Sequence, residues 1–106
     1  MRDEFNKSYW AFIYLVREYP ELYLNKFGKI IYVIASDKNG ECCITKTAKA
    51  LNINISDASV ICKKMLANGH VNAIKKGNTK NLVFDKAIIN NALKEILKNY
   101  QKDDEY

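Results

Sequence analysis

The side chains in this sequence best placed to do chemistry are ammonium groups. Seven lysines (Lys46, Lys49, Lys63, Lys64, Lys75, Lys76 and Lys80) fall between Ile44 and Phe84 against one acid, Asp57, a net +6. The remaining residues hold ten basic and eleven acidic groups, a net −1, so the +5 of the 106-residue chain is local. Charge confined to one stretch points to a polyanionic partner more strongly than total charge does. Catalysis has little to work with. There is one histidine, His70, no glycine loop to cradle a phosphate, and no nucleophile with a base nearby in sequence; Asp103, Asp104 and Glu105 sit together in a polar tail. We expect a binding module that is not an enzyme and needs no cofactor. Cys42, Cys43 and Cys62 are odd in number and two are adjacent, a poor disulfide framework. They lack the paired spacing and histidine partners of a metal site, and they read as small buried hydrophobes; their redox state stays open.

Positioning these groups requires a fold, and the length allows one domain, residues 1–106, with a real core and little volume to spare. Apolar residues make up 48% of the chain, as in folded proteins. The longest apolar run, Tyr9 to Val16, is far short of the roughly 20 residues a membrane span needs. Asp3 and Glu4 precede it and no small-residue cleavage site follows, so a signal peptide is not expected. The expectation is a soluble, cytoplasmic protein.

Apolar spacing predicts a helix from about Asp3 to Tyr19, with Phe5, Tyr9, Phe12, Ile13 and Val16 inward and Pro20 closing it. Trp10 and Tyr14 lie off that stripe on a second apolar surface, which a second copy of the chain would cover. A second helix is expected over Glu21 to Ser36, with Leu24, Phe27, Ile30, Ile31 and Ile34 inward and Gly28 as a point of close approach. A turn at residues 37–40 and a short strand from Glu41 to Ile44 follow. Next comes a helix from about Thr45 to Leu51, presenting Ala48 and Leu51, then a turn at residues 52–54 with Ile53 buried and Asn54 as cap. The helix Ile55 to Asn68 has Ala58, Ile61, Cys62 and Met65 at i, i+3, i+4 and i+7, and Gly69 ends it. A hairpin is expected from strands Val71 to Lys75 and Asn81 to Phe84 around a turn at residues 76–80. Asp85 then caps a last helix, residues 86–100, with Ile89, Leu93, Ile96, Leu97 and Tyr100 on one face, and residues 101–106 fray.

The run AKALNINISDASVICKKMLANGHV, Ala48 to Val71, resembles the helix-turn-helix of the MarR- and PadR-type winged-helix regulators. Their small residue in the first helix, apolar residue in the turn, leucine-like residue four before a glycine, and apolar strand start correspond to Ala48, Ile53, Met65, Gly69 and Val71. The departures are Met65 for leucine, His70 directly after the glycine, and a short wing without the arginine often found at its tip. The likeness covers about forty residues and extends loosely to the flanking helices; archaeal, plasmid and viral regulators of this size look similar.

The resemblance implies an α+β, mostly α fold: a winged helix-turn-helix with a two- to three-stranded wing, whose N- and C-terminal helices form a dimer through Trp10, Tyr14, Ile89, Leu93, Ile96, Leu97 and Tyr100. It implies that residues 55–68 enter the major groove of double-stranded DNA, with Ser56, Ser59 and Val60 at the bases and Lys46, Lys49, Lys63 and Lys64 at phosphates. Lys75, Lys76, Asn78 and Lys80 of the wing would follow the backbone or the minor groove. Asp57 suits capping or a cytosine amino group. The expected function is sequence-specific DNA binding by a homodimeric transcriptional repressor. A plasmid-partition protein of the same fold and a winged-helix protein-interaction module are the alternatives. RNA is disfavoured because no aromatic side chains accompany the lysines. Trp10, Tyr14 and Tyr23 read as packing more readily than as the lining of an effector site.

Overall fold

The computed structural model describes the backbone of residues 2–104 and the side chains of residues 7–98. Among these residues the chain is α+β and mostly helical: α1 Arg2–Glu18, α2 Pro20–Tyr23, α3 Lys26–Ser36, β1 Cys42–Cys43, α4 Ile44–Leu51, α5 Ile55–Ala67, β2 Val71–Lys76, β3 Thr79–Phe84 and α6 Lys86–Asp104. The three strands form one antiparallel sheet in the order β1-β3-β2. The sequence α3, β1, α4, α5, hairpin is compatible with a winged helix, and α1, α2 and α6 stand outside that unit. No helix among the described residues is long and apolar enough to cross a membrane.

The α4–turn–α5 unit follows from its sequence closely. Asn52 adopts the left-handed conformation (φ 56°) that ends α4, and Ile53 packs onto the core. The Asn54 side-chain oxygen accepts from the Asp57 backbone N–H at 2.8 Å, satisfying one of the donors that a helix start leaves unpaired. Ala58, Ile61, Cys62 and Met65 are all buried, and Gly69 (φ 79°) takes the chain out of the helix. Ile61, Cys62 and Met65 meet Leu15 of α1, Ile30, Ile31 and Ile34 of α3, Cys42, and Val71, Leu82 and Phe84 of the hairpin in one core. All three thiols are free. Cys42 and Cys62 are buried around the Thr47 hydroxyl, 3.2 and 3.9 Å away, and burial pushes both thiols up from their ordinary range.

Expectations for four elements need correction. In α1 the buried line is Ser8, Ala11 and Leu15, with Phe12 and Val16 at its margin, while Tyr9 is exposed. This helix packs against both α3 and α6, and close approach on two sides selects small side chains along the contact. In α6 the innermost residues are Ile88 and Ala92; Ile89 packs on the chain's own core, Leu93 and Ile96 are half-buried, and Leu97 is exposed. Phe5 and Tyr100 lie outside the residues whose side chains are described. Helix α6 also runs on to Asp104, since Gln101 and Lys102 are good helix formers and nothing before Asp104 breaks the helix.

The helix expected over residues 21–36 is two. Pro20 opens α2 at a position where its missing N–H costs nothing, and Asn25 caps α3 by accepting from the Phe27 N–H at 2.8 Å. The break buries Tyr23 and leaves Leu24 71% exposed. Gly28 is required there, because a Cβ would collide with the carbonyl oxygen of Tyr23. Finally, the hairpin is longer than expected. Its turn is only Gly77-Asn78, with Gly77 at φ 61°, and Lys76, Thr79 and Lys80 belong to the strands. Asp85 caps α6 through the Ala87 N–H (3.0 Å) and also accepts from Asn72 Nδ2 (2.6 Å), fastening the hairpin root to α6.

Candidate nucleic-acid interface

Strand register decides where the hairpin lysines point. Opposed residues on adjacent strands share a face of the sheet, and faces alternate along each strand. Val71↔Phe84, Ala73↔Leu82 and Lys75↔Lys80 therefore lie on one face, which is the core face, since Val71, Leu82 and Phe84 are buried. That face packs against α5: Ser59, Cys62, Lys63 and Leu66 line a cleft together with Ala73, Lys80 and Leu82. The ammonium-bearing side chains Lys63 and Lys80 thus border one cleft, and Lys75 stands beside Lys80 on the same side. Like charges set directly opposite each other weaken a strand pair, so the Lys75–Lys80 pairing is no gift to folding.

Lys76 lies on the other face, with Asn81, and its ammonium is 2.7 Å from a carboxylate oxygen of Glu41. Lys76 and the amide of Asn81, which donates at 2.9 Å, hold the Glu41 carboxyl below its usual range. Lys46 is similarly engaged, 2.6 Å from Asp37. Burial raises the Asp37 carboxyl, but Lys46 and the backbone N–H groups of Asn39 and Glu41 outweigh it and leave the group below its ordinary value. These two lysines, counted among the phosphate contacts by sequence, serve as internal ties. Both partners are distant or off-period in sequence, so no local pattern announces them.

Along α5 the buried stripe fixes what is left outside. Ser56, Asp57, Val60, Lys63 and Lys64 are exposed and Ser59 is half-buried at the cleft. Lys64 follows Lys63 by one residue, about 100° further round, on the flank away from the hairpin. Among the described residues Lys49, Lys63, Lys64, Lys75 and Lys80 make no ion pair. Lys49 is exposed on α4 and Asn78 at the hairpin turn. The structure therefore brings Ser59, Lys63, Lys75 and Lys80 onto one surface, continues it with Ser56, Val60 and Lys64, and pairs the exposed Lys46 and Lys76 with carboxylates.

Sequence reasoning overlooked two features around this surface. Ile55, the first residue of α5, is 59% exposed. His70, at the exit of α5, is clasped by two aromatic residues from the α1–α2 corner. The Tyr23 hydroxyl is 2.6 Å from its Nδ1 and the Tyr19 ring centroid is 4.5 Å from its own. Burial lowers the imidazole from its ordinary value, against the pull of Asp85. The expected dimer residues are only partly gathered. Trp10, Tyr14 and Ile96 border one cleft between α1 and α6, and Trp10 is exposed at one end of an aromatic band, Trp10–Tyr9–Phe12–Tyr32, with centroids 6.4, 6.2 and 5.5 Å apart. No family model matches the chain, and no curated protein matches its sequence significantly. The functional reading rests on this surface.

Proposed function

We propose that the chain is a winged helix that binds double-stranded DNA sequence-specifically, acting as a homodimeric transcriptional repressor in the cytoplasm. The observation that carries the reading is that Lys80 borders the same cleft as Lys63 while Lys75 is paired across from Lys80, with no carboxylate paired to any of the three among the described residues. A fold that spends a little stability to set like charges together gains from a partner that supplies the opposite charge, and spaced phosphates do so. In this reading α5 lies in the major groove, whose ~12 Å width admits one helix. Ser56, Ser59 and Val60 face base edges, Lys63, Lys64 and Lys49 hold phosphates, and Lys75, Lys80 and Asn78 follow the backbone from the wing. A dimer sets two such helices about 34 Å apart and calls for a roughly palindromic site.

The test is binding to random-sequence and genomic duplexes between low and physiological salt. Neutralising four or five phosphates per subunit makes the logarithm of affinity fall with the logarithm of salt at a slope of about −4 per subunit. Absent or salt-independent binding overturns the proposal. A second reading, a winged helix used for protein assembly, draws support from the exposed aromatic band. It requires that Lys63→Ala with Lys64→Ala leave function intact.

A further inference from the structure

We infer that the base-reading surface of α5 is a thymine reader: Val60 packs against a thymine 5-methyl group in the major groove. The inference rests on the DNA reading above and names what that surface selects.

The first two turns of α5 present five side chains outside the core: Ile55, Ser56, Asp57, Ser59 and Val60. Two are aliphatic and open to solvent, Ile55 at 59% and Val60 at 52%, and neither packs on the hydrophobic cluster. The helix holds no arginine, asparagine or glutamine, and its lysines Lys63 and Lys64, which can also contact guanine, follow Val60 by about a turn. Its serine hydroxyls bond to any base. The Asp57 carboxylate only accepts, which suits a cytosine amino group and repels phosphate. The 5-methyl of thymine is the one apolar group on the major-groove edge of the four bases, and an aliphatic side chain gains there by leaving water. Ser56 and Val60 stand one turn apart on the side opposite Ala58, Cys62 and Met65, the most outward line of the helix. Ile55 precedes Val60 by five residues, about 140° round the helix, and so lies off that line. Each half-site therefore carries thymine at the position Val60 meets.

The experiment selects tightly bound sequences from random duplexes with the full chain, then remakes the best duplex with deoxyuridine in place of thymidine, singly and together. Uridine keeps every hydrogen-bonding group and removes only the methyl. Affinity at fixed salt is expected to fall about fourfold for each contacted methyl lost, and Val60→Ala is expected to bind the thymine and uracil forms equally at the position Val60 reads. Val60 is exposed, so the variant keeps its fold. A selected, salt-sensitive duplex that the wild-type chain binds equally well with uracil throughout overturns the inference and leaves the DNA reading standing, as does a selected site without thymine. No enrichment of any duplex overturns both.

Discussion

At the scale of single residues, the absent Cβ of Gly28 and the enclosed ring of His70 carry the sharpest consequences. Gly28 lets α3 run under the carbonyl of Tyr23, so Gly28→Ala forces backbone against Cβ. A cost of about 3 kcal/mol is expected, at the upper end for an overpacked interior, and denaturant unfolding of the variant measures it. His70 titrates below its ordinary value because burial disfavours the charged ring. The folded state therefore holds the neutral imidazole. Its contribution is complete above pH 6.5 and is lost as pH falls through the lower folded value. Stability should decline below pH 6.5, before the depressed carboxyls of Asp37 and Glu41 begin to lose theirs below their ordinary values of 3.8 and 4.5. His70→Gln should erase the upper phase and keep the lower one; an unchanged upper phase would assign it to another group.

At the scale of elements, the lysines of one hairpin separate into two kinds. Lys80→Ala removes a charge opposed to Lys75, so stability should hold or rise by a few tenths of a kcal/mol while the salt slope of duplex binding shrinks by about 0.9. Lys76→Ala should do the reverse: a loss of about 0.5 kcal/mol, as for an exposed ion pair, and no change in slope. Equal slopes for the two variants would remove the argument from strand register.

The same elements show how far sequence reaches. Helix α5 was legible because Ala58, Ile61, Cys62 and Met65 form an unbroken i, i+3, i+4, i+7 stripe between an asparagine cap and a glycine exit. The inner line of α1 was not, because Ser8 and Ala11 are buried for being small, a property hydropathy discounts. The break between Tyr23 and Lys26 hides in Leu24-Asn25, where tertiary packing of Tyr23 decides the issue. Lys76 and Lys80 look like turn residues by composition, and only the pairing of β2 with β3 sorts one toward Glu41 and the other toward α5. Of the candidate interface, the exposed face of α5 could be read from period alone, whereas the pairing of Lys46 with Asp37 and of Lys76 with Glu41 depends on contacts between separated segments.

At the scale of the molecule, the chain is long and thin, 52 × 30 × 20 Å, with a radius of gyration of 14.5 Å. A compact chain of this size has about 13 Å, so this shape leaves more surface uncovered. Part of that surface is the aromatic band ending at Tyr32, which is 50% exposed. On the dimer reading, Trp10→Glu should convert a sedimenting dimer to a monomer and weaken duplex binding with it, while an unchanged mass would move the contact elsewhere. Tyr19 and Tyr23 grip the ring of His70 from the N-terminal corner, so the far end of α5 and the root of the hairpin are bolted to the opening helices. On the dimer and DNA readings, a tilt imposed on α1 by a mate molecule would be carried straight into the groove-reading rod instead of dissipating in a slack joint. In that reading, the pitch at which two such rods meet a duplex is a property of the scaffold at the start of the chain.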